Sequence, residues 1–149
     1  MNVYTTDKIR NVVILGHGGA GKTSLVESMA YLSGITSRLG NVAEGNTISD
    51  YDKEEIKRKF SISTSMVPII WGDTKINILD TPGYFDFVGE AEEAAAAADA
   101  AIIVVNGKNG VEVGTEKDGI CVRSISFRDS SMFRIWTTTM PATERLWRS

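Results

Sequence analysis

The stretch Gly16-His17-Gly18-Gly19-Ala20-Gly21-Lys22-Thr23 decides the fold. It matches G-x-x-x-x-G-K-[ST], a phosphate-binding loop that needs a strand before it and a helix after it. Both flanks are there. Asn11-Val12-Val13-Ile14-Leu15 is a run of β-branched and aliphatic residues that reads as a buried parallel strand. Leu25, Val26, Met29, Ala30 and Leu32 recur at helical spacing, and Ser33-Gly34 supplies the stop. Glycines let the loop curl so that backbone N–H groups point inward at phosphate, and the following helix adds its positive amino-terminal end. Gly16 through Thr23, with Ser24 behind them, are therefore the expected nucleotide-binding residues. Lys22 is expected to reach the β- and γ-phosphates and to act in catalysis, and the Thr23 hydroxyl to bind Mg²⁺. His17, the chain's one histidine, reads as a loop-packing residue within this site and not as a base.

Outward from the loop, residues 34 to 58 are polar, glycine-bearing and without sustained period, so a long connection is expected, with a helical turn near Asp52 to Lys57. Ser61 to Trp71, the Gly72-Asp73 turn, and Lys75 to Leu79 read as an antiparallel hairpin. Asp80-Thr81-Pro82-Gly83 then follows a strand. An aspartate there can hold Mg²⁺, usually through water, and the glycine N–H can meet a γ-phosphate. Glu90 to Ala98 reads as a helix and Ala100 to Val105 as another buried strand. Alternating strands and helices give an α/β fold, a three-layer sandwich whose sheet is mostly parallel with one antiparallel hairpin.

With 149 residues, 42% apolar and 23% charged, the chain has the material for one domain. A net charge of −3 does not suggest a polyanion binder, and no direct nucleic-acid motif is visible. The single cysteine, Cys121, cannot form an internal disulfide, which suits a reducing compartment, the cytoplasm by default. Met1 to Arg10 lacks the apolar run of a signal peptide, and Asp99 interrupts the longest apolar stretch, so no membrane partner is expected.

Four stretches together carry a family resemblance: the phosphate loop with His17 in it, Ser61-Ile62-Ser63-Thr64-Ser65, Ile76-Asn77-Ile78-Leu79-Asp80-Thr81-Pro82-Gly83-Tyr84-Phe85-Asp86-Phe87, and Gly110-Val111-Glu112-Val113. From Asn11 to about Lys117 the chain resembles elongation factor G, and release-factor and ribosomal-protection GTPases share these features. The resemblance implies a P-loop NTPase domain, here truncated, that binds GTP and Mg²⁺ and hydrolyses GTP in concert with the ribosome. Ser61 matches the first-switch threonine that binds Mg²⁺, which adds it to Thr23 and Asp80 as metal residues. Tyr84 stands where most of the family has a histidine that orients the attacking water. A phenol titrates near pH 10 and is no base at neutrality, but it can hydrogen-bond a water. Asp50 to Lys59, which alternates in charge, reads either as a solvated face or, by resemblance, as part of a mobile first switch.

Beyond Lys117 the character changes. All eight lysines lie at or before that residue, and five of eight arginines lie after it. The chain thus divides into 1–117, the amino-terminal part of a translational-type G domain, and 118–149, a non-matching tail. No N-K-x-D motif for reading guanine is present. Permitted codons for Ile135 to Thr143, read two bases out of frame, give Met-Asp-Asp-Asp-Asn-Ala, like the end of that motif. Asp118 to Cys121, read one base out, give Met-Glu-Tyr-Ala. On this reading the tail is a frameshifted translation of a longer gene. Ala100 to Val105 would then be an exposed sheet edge, inviting aggregation, unless the tail covers it, with Ile120 to Phe127 as the expected cover. The rival to a GTPase fragment is a non-catalytic fragment with weak phosphate binding and no base specificity.

Overall fold

A computed structural model describes residues 3–124 and 134–137, with side chains for the first of these segments. In chain order the elements are β1 (Ile9–Leu15), α1 (Lys22–Leu32), α2 (Lys53–Arg58), β2 (Ser65–Trp71), β3 (Thr74–Asp80), α3 (Val88–Ala97), β4 (Ala100–Val105), α4 (Val113–Ser124) and β5 (Arg134–Thr137). The sheet runs β2-β3-β1-β4-β5. Among the named strands of the described residues, the β2–β3 pair alone is antiparallel, so the α/β fold has the mostly parallel sheet and the single hairpin expected from the sequence.

Strand β1 is central and apolar on both faces, and its alternation sorts the core into two layers. Val13 and Leu15 face Ala91, Ala94 and Ala95 of α3, with Ala101, Ile103 and Val105 of β4 and Val122 of α4. Ile14 faces the other way, towards Val26 and Ala30 of α1, with Val67, Ile69, Ile78 and Val104. The three alanines on α3 let that helix sit close to the sheet. On β2, buried Val67 and Ile69 alternate with exposed Met66, Pro68 and Ile70, and Pro68 is tolerated because this is an edge strand.

Two expectations are revised. The hairpin's first strand begins at Ser65 and not at Ser61, because the Ile62 and Ser63 N–H groups donate to the Glu55 carboxylate and Thr64 N–H to Glu90, which removes them from a ladder. Ile120 lies in helix α4 and pairs with nothing in the sheet. That helix crosses the boundary set at Lys117. Its own sequence has a weak period, and it is held by burying Val122 against α3 and β4 and Gly114 against His17, so tertiary packing outweighs local pattern. The strand that covers β4 is Arg134–Thr137, parallel, with Ile103 opposite Ile135. Ile125 to Phe127 fall outside the described residues.

The tight seating of α3 yields a contrast between neighbours. Ala95→Leu, at a fully buried position, should lower unfolding free energy by about 1–3 kcal/mol through overpacking, whereas Ala96→Leu, on the exposed face, should stay within about 0.5 kcal/mol. Urea denaturation of the two variants is the measurement.

Candidate functional site

The parallel register sets Ile14 beside Asp80, so the loops that leave the carboxyl ends of β1 and β3 emerge side by side. Ligands bind at this position in open α/β sheets. A buried Thr81 hydroxyl donates to the Ile14 carbonyl at 2.6 Å and pins the two loops together. Gly16 adopts φ 141° with the Val104 carbonyl pressed where a Cβ would stand. Gly83 approaches so closely that a Cβ would collide with the Lys22 ammonium and the Gly18 nitrogen. At both positions the backbone itself forms the wall of the site, and a side chain would push the loops apart.

Between the loops lies a cavity of about 220 Å³, lined by the phosphate loop on one side and by Phe60, Ser61, Gly83 and Tyr84 on the other. Lys22 projects here, nearly buried, with its ammonium donating to the Gly16 carbonyl at 2.8 Å and the His17 carbonyl at 3.2 Å. Burial lowers its pKa, against the opposing pull of Asp80, Asp118 and Asp50. Ser24 also lines the cavity, whereas Ala20 is buried in the α1-side core. His17 turns away: its ring meets Phe85 at 6.1 Å between centroids, its Nε2 lies 3.9 Å from a Glu112 oxygen, and Gly114 packs against its Cα. Those contacts suit the packing role read from the sequence.

The three residues expected around the metal come together with two others. Thr23 Oγ1 lies 3.3 Å from Ser61 Oγ, which donates to Asp50 Oδ1 at 2.7 Å. Ser49 Oγ donates to Asp80 Oδ2 at 2.7 Å, and the Ser49 carbonyl accepts from Ser65 Oγ. Asp80 is 1% exposed and its Oδ1 is buried with no hydrogen-bond partner. Burial pushes its carboxyl up to about 6 and raises that of Asp50 as well. Among the described residues no cluster of three or more His, Cys, Asp or Glu could hold a metal. The donors are hydroxyls and two carboxylates, an all-oxygen set of the kind a hard cation takes. An orphaned carboxylate oxygen at the centre of this set fits such an ion.

Tyr84 is 45% exposed. Its ring lies flat enough on Gly18 that a Cβ there would sit 3.1 Å from it, and it meets Phe60 at 4.7 Å between centroids. The phenol thus stands at the cavity mouth, beside the loop.

Several members of the site escaped the sequence reading. Asp50 and Glu55, in a charge-alternating run that also reads as a solvated face, are 5% and 3% exposed. Asp52 and Glu55 form a reciprocal capping box on α2, and the D-x-x-E spacing was its available signal. Glu27, on α1, is buried and accepts from the Gly40 and Ile48 N–H groups, which ties down the long connection. Nothing local marks it, because its partners are distant in sequence.

Residues 7–126 match the family model described as the elongation factor Tu GTP binding domain. The chain is 43% identical over 117 residues to the mitochondrial ribosome-releasing factor 2 of Scheffersomyces stipitis, covering 78% of this chain and 14% of that protein. It is 46% identical over 115 residues to the Drosophila virilis protein of the same name, covering 77% and 16%. Among solved structures, a Thermus thermophilus protein superposes with a TM-score of 0.80 at 38% identity, over 86% of this chain and 19% of that one. The bacterial selenocysteine-specific elongation factor EF-Sec superposes at 0.66 with 25% identity, over 80% and 18%. The chain therefore spans about one sixth of the length of the curated relatives it matches. With the β1 and β3 loops joined on one sheet and a family match over most of its length, this chain belongs to the elongation factor Tu GTP-binding domain family.

Proposed function

We propose that this chain is the nucleotide-binding part of an elongation factor G-like translation factor that binds Mg²⁺–GTP, and that the whole protein couples GTP hydrolysis to work on the ribosome. The observation that carries the proposal is the convergence of Lys22, Thr23, Ser61 and Gly83 on one cavity between the β1 and β3 loops, with the unpartnered carboxylate oxygen of Asp80 buried nearby. Two relatives named for ribosome release support the partner. The relatives are named as mitochondrial, no described helix is long and apolar enough to cross a membrane, and the half-buried thiol of Cys121 suits a reducing compartment such as the cytoplasm.

In this proposal the loop N–H groups from Gly16 to Thr23 cradle the phosphates, and Lys22 exchanges its carbonyl partners for phosphate oxygens. The Thr23 and Ser61 hydroxyls and the Asp80 carboxylate would hold Mg²⁺. When bound, the ion would neutralise charge on the phosphates. Gly83 N–H is close enough to the loop to meet the γ-phosphate, and the Tyr84 hydroxyl would orient the attacking water by hydrogen bonding. Charge developing in the transition state would be met by Lys22 and fixed backbone donors, which need little rearrangement.

Fluorescent GTP and ATP analogues test the binding and its base preference. Lys22→Ala should weaken binding of the GTP analogue by about 10- to 100-fold, the range for a hydrogen bond to a charged group. Equal affinity for both analogues, or none for either, would contradict guanine binding by this chain, which lacks N-K-x-D after β5.

Asp80 supplies a second test. Its carboxyl is held at about 6 against an ordinary 3.8, so the native state favours the protonated form, and its contribution to stability improves as pH falls from neutrality through 6 towards 4. Asn mimics that neutral form and keeps an oxygen for Ser49. Asp80→Asn should therefore raise the ligand-free chain's unfolding free energy by about 1–3 kcal/mol and weaken Mg²⁺-dependent nucleotide binding. Urea melts and nucleotide titrations with and without Mg²⁺ check both signs.

We also propose that the tail beyond the family match, which runs past Lys117, is a frameshifted translation. The family match ends at residue 126. The coding DNA tests it, and a shifted frame that restores no Asn-Lys-x-Asp downstream would sink the idea.

A further inference from the structure

Helix α4 runs beneath the phosphate loop. Gly114 abuts the loop so closely that a Cβ on it would stand 3.0 Å from His17 Cα. Asp118 lies one turn further along the same face. There its carboxyl group lies near enough to the Gly16 N–H for that donor to favour its charged form. It also lines a small cavity of about 20 Å³ with Pro82 and Gly83, so it reaches the underside of both loops. No loop motif includes this residue.

We infer that Asp118 is a resident anion of the phosphate site, which competes with nucleotide phosphates for the field of Lys22 and the loop, lowers nucleotide affinity and disfavours the more highly charged triphosphate. The inference rests on phosphate capture by Gly16 to Thr23. Facing Asp118 are Lys22 and His17 from the loop, with Asp80 and Asp50 beyond Lys22 and Glu112 beside His17. Lys117, its neighbour, is engaged with the Phe85 ring at 4.3 Å. Negative groups thus already flank the buried Lys22 ammonium, and Asp118 adds another from a side that the nucleotide does not cover. Burial pushes its carboxyl up, opposed by the Gly16 N–H, Lys22 and His17. At such a site charge interactions are weakly screened by water.

The test is the dissociation constant of fluorescent GTP and GDP analogues for the parent chain, Asp118→Asn and Glu116→Gln, with Lys22→Ala as the control for phosphate capture. Asn keeps an oxygen for the Gly16 N–H. Glu116 is exposed on the same helix, so its variant makes the same change in net charge away from the loop. Asp118→Asn should bind the GTP analogue about 3- to 10-fold tighter, the GDP analogue less so, with the gain shrinking as salt rises. Glu116→Gln should bind like the parent. Should Asp118→Asn melt below the parent, Asp118→Ser is read in its place by the same criteria. Unchanged or weaker binding, or an equal gain in Glu116→Gln, overturns the inference while leaving phosphate capture intact. If neither the parent nor the Asp118 variants bind, phosphate capture fails and this inference with it.

Discussion

The parallel pairing of β1 with β3 is the constraint on which everything else hangs. With Ile14 opposite Asp80, two loops far apart in sequence leave the sheet as neighbours, and the Thr81 hydroxyl bonds them across the gap. The pairing is enforced by side chains, because Val13, Ile14 and Leu15 are all buried and alternate between two helix layers. Since successive residues face opposite sides, a one-residue slip would turn each of them to the wrong core. The core therefore fixes the relative position of the two loops, and the loops need little conformational freedom of their own.

The same site gathers buried charge that folding alone would not favour. Lys22, Asp80 and Asp50 are each at most 7% exposed, and burial shifts each towards its neutral form. An apolar interior would be the more stable filling for such positions. Hydroxyl donors from Ser49 and Ser61 offset part of the cost, but Asp80 Oδ1 stays unpaired. Unpaired buried acceptors of this kind mark places where structure has been shaped for a ligand and not for its own stability.

What the sequence made legible followed short-range pattern. Asn11 to Leu15 and Ala100 to Val105 read as buried strands because apolar runs of that length have few other uses, and the glycines of the phosphate loop announced their own geometry. Two kinds of feature were not legible. Ser61 to Thr64 looked like strand by composition, yet the carboxylates of Glu55 and Glu90 took the N–H groups of Ile62, Ser63 and Thr64, a competition visible only in three dimensions. Helix α4 has little period of its own and forms because Gly114 and Val122 find partners on other elements. The burial of Glu27 and Asp50 escaped for a related reason, since a charged residue advertises solvent until its partners are known.

Glu27 carries a consequence for how the site responds to a ligand. Its two oxygens hold the backbone at Gly40 and Ile48, Asp80 holds Ser49, and Glu55 holds Ile62 and Ser63. The connection between α1 and β2 is thereby divided into several short closed loops. Because closure entropy rises with loop length, most of the ordering has been accomplished within the protein. A nucleotide arriving at Thr23 and Ser61 would meet a linkage of a few hinged segments, and would forfeit correspondingly little of its interaction energy in immobilising them.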